Sequence, residues 1–417
     1  MAVHQHHRTS ERGAMLVHVA VALLGLIALS AFAADFGLFW LSRREAQNSA
    51  DAAALAGAVA LAYDNSVDLT PTGPASRSAL ALSQVNQVWG QPPDVDPITD
   101  ITFPECPDGT LSCIRVDVYR NVARGNALPT FFGGLVGINE QGIRATATAQ
   151  ARASNATNCL KPWIIPDKWT EIYPTPGPWN PLTSTYQTQT GNGNNQTPLP
   201  NPDVYHPPSS PNMTGFRAEG TPNDIGMEIT LYAGPPPQQS GGGAVQPGWV
   251  YPVRLNEQEP GGNVYMNNIQ RCSGDVIQIG DLLRNETGVM IGPTFHGVDP
   301  LINADPSAHW VDPDGVGGVP GWIADSCQET ASCPAPYSPS PSESPRLIKV
   351  PVFDTAEFSQ NPGAQWLRVV NILGFFIKQR QGNTITGYLT TFNGILAEGG
   401  GTIEEPAAFS QTVVLVR

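Results

Sequence analysis

The sequence predicts an α+β protein: a long N-terminal transmembrane helix that continues outward, a small α+β module, then a β-rich exported domain with long Pro/Gly loops. Three observations predict it. The run Ala14–Ala34 is almost wholly apolar, residues 46–62 are alanine-rich with no proline, and short alternating runs separated by Pro, Gly and Ser follow. With 42 glycines and 40 prolines among 417 residues, the pair exceeds its usual ~12 % share, so much of the chain is turn and loop.

The segment AMLVHVAVALLGLIALSAFAA, Ala14 to Ala34, extends about 31 Å as a helix, which matches one bilayer core. Apolar character resumes after Asp35 as far as Leu41, with Trp40 at the interface and Arg43 and Arg44 beyond it. Asp35 therefore reads as a boundary residue. Arg8 and Arg12 before the span balance Arg43 and Arg44 after it, so loop charge gives no orientation.

Cysteine decides the side. Cys106, Cys113, Cys159, Cys272, Cys327 and Cys333 all follow the span, as expected in an oxidising compartment. The N-terminus is then cytoplasmic and the bulk periplasmic or extracellular, from a single pass through the cytoplasmic (inner) membrane. Six cysteines allow many pairings and the sequence alone does not choose among them; local closure favours Cys106 with Cys113 and Cys327 with Cys333, and on that choice Cys159 would pair with Cys272. No Cys-x-x-Cys occurs and no histidine stands at finger-like spacing, which argues against zinc. A rival reading is a cleaved secretory signal ending at Ala31-Phe-Ala33, against which the apolar run is long: such cores usually hold ~7–15 residues.

Beyond the span the helix is expected to continue to about Tyr63. Ala46, Ala50, Ala54, Ala58 and Ala62 recur every fourth residue, a strip that permits close approach of another helix or sheet, from a partner or from the chain's own domain. The order Arg12-Gly13, then Asp35-x-Gly37, then Arg43-Arg44-x-x-Gln47-Asn48-x-Ala50-Asp51 and Gly57 resembles the TadG-like N-terminal domain of Tad/Flp pilus-assembly proteins. The resemblance implies a non-enzymatic component of pilus assembly or associated secretion and adhesion, with the lipid bilayer and other pilus-assembly or envelope proteins as partners. It carries no cofactor and assigns no oligomeric state. His18 stands where a prepilin-type glutamate would follow Gly13, and no Asp-x-Ser-x-Ser metal site of an adhesive A domain occurs.

The chain then divides as 1–13 cytoplasmic tail, 14–62 membrane-anchoring helix, 63–153 α+β module, 154–224 Pro/Asn/Gln-rich loop or linker, and 225–417 β-rich domain. In the module, residues 75–89 read as a helix, Ile98–Phe103, Ile114–Tyr119 and Ile143–Ala153 as strands, and Pro129–Gly137 as a short apolar helix. Strand-like runs return at Met227–Tyr232, Trp249–Leu255, Val276–Ile279, Leu347–Phe353, Gln365–Lys378, Thr384–Phe392 and Gln411–Val416.

A formal charge of −14, from 22 Lys plus Arg against 36 Asp plus Glu, leaves little to build a nucleic-acid groove. No Gly-x-Ser-x-Gly, His-Glu-x-x-His or phosphate-loop sequence occurs. His296, Asp299, Asp305, His309, Asp312 and Asp314 cluster in sequence, but without the ligand recurrence of a calcium loop they read as an acidic loop. Trp163, Trp169, Tyr173 and Trp179 either present a glycan or partner surface or cover core edges. Two further functions stay open at this point: a membrane-anchored adhesin or glycan-binding surface protein, and a secreted hydrolase released near Ala33.

Overall fold

The computed structural model describes residues 9–63, 68–191, 195–220, 222–233, 245–255, 260–286, 290–312, 321–338, 343–360, 364–401 and 403–416. The chain forms two compact units, residues 1–151 with 413–417, and residues 152–412.

In the first unit, helix α1 runs without a break from Thr9 to Tyr63. Its continuity follows from composition: the segment holds no proline, and leucine and alanine dominate it. Helix α2, Pro74–Val85, starts with Pro at N1 after Gly73 and buries Ala75, Ser76, Ala79 and Ser83. Strands β1 (Ile101–Thr102), β2 (Cys113–Arg120) and β3 (Ile143–Ala153) are consecutive neighbours in an antiparallel sheet. Period-2 alternation sends Ala145, Ala147, Ala149 and Ala151 of β3 into the core. There they join Ile114, Val116 and Val118 of β2 and the alanines of both helices in one apolar cluster. The expected apolar helix at Pro129–Gly137 is instead a 3-10 turn, Gly133–Val136, closed by Gly137 at φ +85°. Gly-Gly at its start disfavours a longer helix.

The second unit is built on a seven-stranded sheet. Its strands are β4 (Trp163–Pro166), β5 (Glu228–Tyr232), β6 (Tyr251–Arg254), β7 (Leu282–Asn285), β8 (Leu347–Phe353), β9 (Trp366–Gln381) and β10 (Thr384–Thr390). The order is β5-β10-β9-β7-β6-β4-β8, and β8 pairs again with β9. Pairing therefore returns on itself through β9-β7-β6-β4-β8, which leaves those five strands no free outer edge between β8 and β9. β9 can serve three neighbours because it is 16 residues long: Trp366–Arg368 pair with β7, residues from Val369 to Phe376 with β8, and Gly374–Gln381 with β10.

Residues 154–224, expected as a loop or linker, are largely loop but are built into the second unit: Leu160, Trp163, Ile164, Trp169, Tyr186, Tyr205 and Phe216 lie in the same core as β8 and β9. The segment lacks apolar area to fold alone, yet its scattered aromatics suffice once an existing sheet supplies the opposing surface. The region after 225 is strand-rich as expected, and it also carries helices α3 (Gly262–Gln270) and α4 (Ile291–Ala304), which pack on one another. Gly297 of α4 has no Cβ where one would lie 2.6 Å from Ile269 of α3, so glycine sets their close approach. Finally, residues 413–417 group with the first unit rather than with 225–412.

Candidate functional site

The residues singled out in sequence fall mainly on α1, and the structure gives them two different environments. From Met15 to Leu29 every residue of α1 is exposed. From Ser42 the same helix becomes the spine of the first unit. Ala46, Ala50, Ala54 and Ala58 are fully buried and Ala62 is half-buried against α2 and the sheet. The alanine strip is thus occupied by the chain's own elements. Gly57 lies at the tightest point: an added Cβ would stand 2.4 Å from Ile114 Cδ1 and 3.2 Å from the Ala75 carbonyl oxygen.

Polar residues of α1 fasten it to the same unit. Gln47 Nε2 donates to Asp51 Oδ1 at 2.8 Å and to the Thr146 carbonyl at 3.1 Å. Glu45 Oε2 accepts from the Trp89 backbone N–H at 2.8 Å, and Ser49 Oγ donates to the Ser83 carbonyl at 3.1 Å. The bonds to Thr146, Trp89 and Ser83 fix the rotation of the helix about its axis as well as its depth, whereas the Gln47–Asp51 bond lies within α1. Arg44 places its guanidinium 5.6 Å from the Trp40 ring centre, whereas Arg43 and Asn48 are exposed. Gly37 has open space where a Cβ would stand. Gly13 belongs to α1.

Asp35 is more than a boundary residue. Its carboxylate accepts from three successive backbone N–H groups, Phe131 at 2.8 Å, Phe132 at 3.0 Å and Gly133 at 2.8 Å. Charge-assisted bonds of this kind to a backbone nest are among the stronger hydrogen bonds available to a carboxylate. Sequence reading missed this use, and missed Glu45 and Ser49, because the partners lie far along the chain.

Residues 13–60 match the family model described as putative Flp pilus-assembly TadE/G-like. This segment is similar to a Tad domain. The Tad domain coincides with α1 from just before its apolar half to just before its end, and this helix is long and apolar enough to cross a membrane. No curated protein and no solved structure matches the chain. The match covers about a tenth of the sequence, so the Tad domain accounts for the helix and not for the second unit.

Elsewhere the sequence candidates do not converge. Disulfides join Cys106 to Cys113, Cys159 to Cys272 and Cys327 to Cys333. Asp305 lies near Cys327 and Cys333, but both sulfurs are committed to a disulfide, so the trio cannot ligate as thiolates. Asp305 instead accepts from Ser326 Oγ at 2.6 Å and Ser344 Oγ at 2.7 Å, while Asp299 pairs with Arg380 and His309 faces Asp325 at 3.6 Å. Asp312 ends the described stretch after the strand His309–Val311, His296 sits in α4, and Asp314 lies outside the described residues. Trp163 and Trp169 are buried, and Trp169, Trp179, Tyr186 and Phe216 form an edge-to-face cluster with centroids 5.5–5.8 Å apart. Tyr173, like Trp179, is half-buried.

Asp167 is a carboxyl group wholly buried in the second unit. Burial raises its pKa to about 7, against hydrogen bonds from the Phe216 and Lys168 backbone and the Tyr205 hydroxyl. Asp in an unfolded chain ionises near ~3.9. Between the two values the folded state holds the proton that the unfolded state has lost, so folding stability falls as pH rises through this window. Asp167→Asn is expected to remove that slope, about 1.4 kcal/mol per pH unit, and to flatten melting temperature against pH between 4 and 7. An unchanged profile in the variant contradicts the assignment.

Proposed function

We propose that the chain is a non-enzymatic, membrane-anchored envelope protein that serves Tad/Flp-type pilus assembly or the associated secretion and adhesion. It sits in the cytoplasmic membrane with its N-terminus inside and both folded units outside. The Tad domain match carries this reading, and the exposed apolar half of α1 supports it: residues such as Leu23, Leu24, Ile27 and Leu29 stand more than half exposed, a disposition stable in lipid and costly in water. Three disulfides fit export to an oxidising compartment.

On this reading the buried alanine strip is structural, and partners engage other faces of the folded units. Enzymatic action would require a convergent acid–base or nucleophile set. The titratable clusters around Asp167 and Asp305 are instead spent on holding loops together.

Fractionation of cells expressing the full chain tests the proposal. Alkaline carbonate washing is expected to leave it in the membrane pellet, and mild-detergent pull-down is expected to enrich pilus-assembly subunits. Release into the soluble fraction contradicts the anchor; retention with recovery of no pilus or envelope partner contradicts the assembly role.

A further inference from the structure

The loop that Asp35 holds is unusual in composition. From Gly125 to Asn139 it carries no charged residue, and between Leu128 and Glu140 it reads LPTFFGGLVGIN. Short paired segments Leu128–Pro129 and Glu140–Gln141 form its base. Its tip exposes Phe131, Phe132, Leu135 and Ile138, Phe131 to 63 % and Leu135 to 84 %. Large apolar side chains grouped on one loop are a binding surface rather than ordinary surface scatter.

Position identifies what binds it. Met15–Ala34 is one bilayer core in length, about 30 Å, and Asp35 is the next residue. The three N–H bonds from residues 131–133 pin the loop tip at that level of α1. Phe36, Trp40 and Leu41 are exposed apolar residues of the helix just beyond Asp35, so helix and loop both present apolar surface where the span would leave the hydrocarbon.

Most of the loop's backbone N–H groups are already satisfied within the protein. A non-helical segment enters lipid only if its peptide groups are satisfied from within the protein. The Phe131, Phe132 and Gly133 N–H groups bond Asp35, and Thr130 N–H bonds the Asn139 carbonyl. Leu135, Gly137 and Ile138 N–H groups bond the carbonyls of Phe132, Gly134 and Gly133. Gly133 is required at this crossing, since an added Cβ would stand 2.7 Å from the Ile138 carbonyl oxygen.

We propose that the Pro129–Ile138 loop is a second membrane contact, seated in the interfacial layer of the outer leaflet, with Asp35 as the tether that holds it beside the span. The carboxylate at the edge of the hydrocarbon keeps its charge and is solvated by the loop's amides in place of water, and the loop's apolar tip replaces water with lipid. Two contacts restrict how the first unit tilts on the membrane, which a lone helix leaves free.

This inference rests on the membrane-anchor reading, and the test separates the two. Because the native cysteines are disulfide-bonded, one added cysteine is the only free thiol for an environment-sensitive fluorophore. Full-length Leu24→Cys, Leu135→Cys and Leu111→Cys are labelled in phosphatidylglycerol/phosphatidylethanolamine vesicles carrying shallow spin-labelled lipids or with iodide in the water. Leu111 is exposed beside the start of β2 and reports the solvent-facing end.

The Leu24 and Leu135 probes are expected to be quenched at least twofold more by labelled lipid than the Leu111 probe, which iodide quenches instead. A lipid-quenched Leu24 with an iodide-quenched Leu135 overturns the loop contact and leaves the anchor standing. A Leu24 probe quenched only by iodide overturns the anchor itself. Protection of Leu135 from both quenchers means a protein covers the loop and also overturns the proposal. Adding Asp35→Ala is expected to cut the lipid quenching at Leu135 by half or more without altering Leu24; no change removes Asp35 from the role of tether.

Discussion

Serine replacement of both Cys159 and Cys272 is expected to cost the second unit about 4–5 kcal/mol in the chain-entropy account of cross-links. The two cysteines are 113 residues apart in sequence, whereas Cys327 and Cys333, in the same unit, are 6 apart. Loop-closure entropy grows with the logarithm of loop length, so the long cross-link should contribute about 2.5 kcal/mol more than the short one. The comparison is direct because both bonds report on the same unfolding transition. Denaturant unfolding of the detergent-solubilised chain, followed by tryptophan fluorescence, reads it. Equal losses from the two pairs would show that the long bridge joins parts already held by the strand ring and the aromatic cluster.

Gly57→Leu is the second large effect. The glycine lies where α1, α2 and β2 come closest, with Ile114 Cδ1 2.4 Å and the Ala75 carbonyl 3.2 Å from any added Cβ. Alanine there gains helix propensity of about 1 kcal/mol, which offsets moving the flexible end of Ile114 and small shifts of the Ala75 carbonyl and the Ala79 Cβ. Leucine has to displace backbone of α2 and costs about 1–3 kcal/mol or more through overpacking. The expected order of melting temperature for the first unit is wild type close to Gly57→Ala and both well above Gly57→Leu. A tolerated leucine would mean that α1 is not seated against α2 as described.

How far the sequence alone discloses this architecture depends on the range of the signal. Helix α1 is legible because an apolar run and an alanine run join without a proline, and strands such as Leu347–Phe353 and Ile143–Ala153 are legible from local alternation and β-branched content. Helices α3 and α4 are not: Pro300 lies inside α4, and neither Gly261 nor Met290 offers a side-chain cap. The aromatic residues between 163 and 216 are visible in sequence, but their burial depends on strands that come more than a hundred residues later.

The candidate site divides the same way. The family motif locates Asp35, Gln47 and Gly57, while their uses depend on Phe131–Gly133, Thr146 and Ile114, which local periodicity does not connect to them. Asp35 reads as a boundary residue from hydropathy, and becomes a tether only when a loop 96–98 residues away folds onto it. Sequence-distant hydrogen bonds leave no period to detect.

If α1 anchors the protein, it persists whole in the mature chain, its inner half in lipid and its outer half inside the first folded unit. Mass spectrometry of the protein purified from carbonate-washed membranes is then expected to recover the peptide covering Ala14 to Leu41. A membrane-free molecule beginning at Ala34 would contradict the anchor.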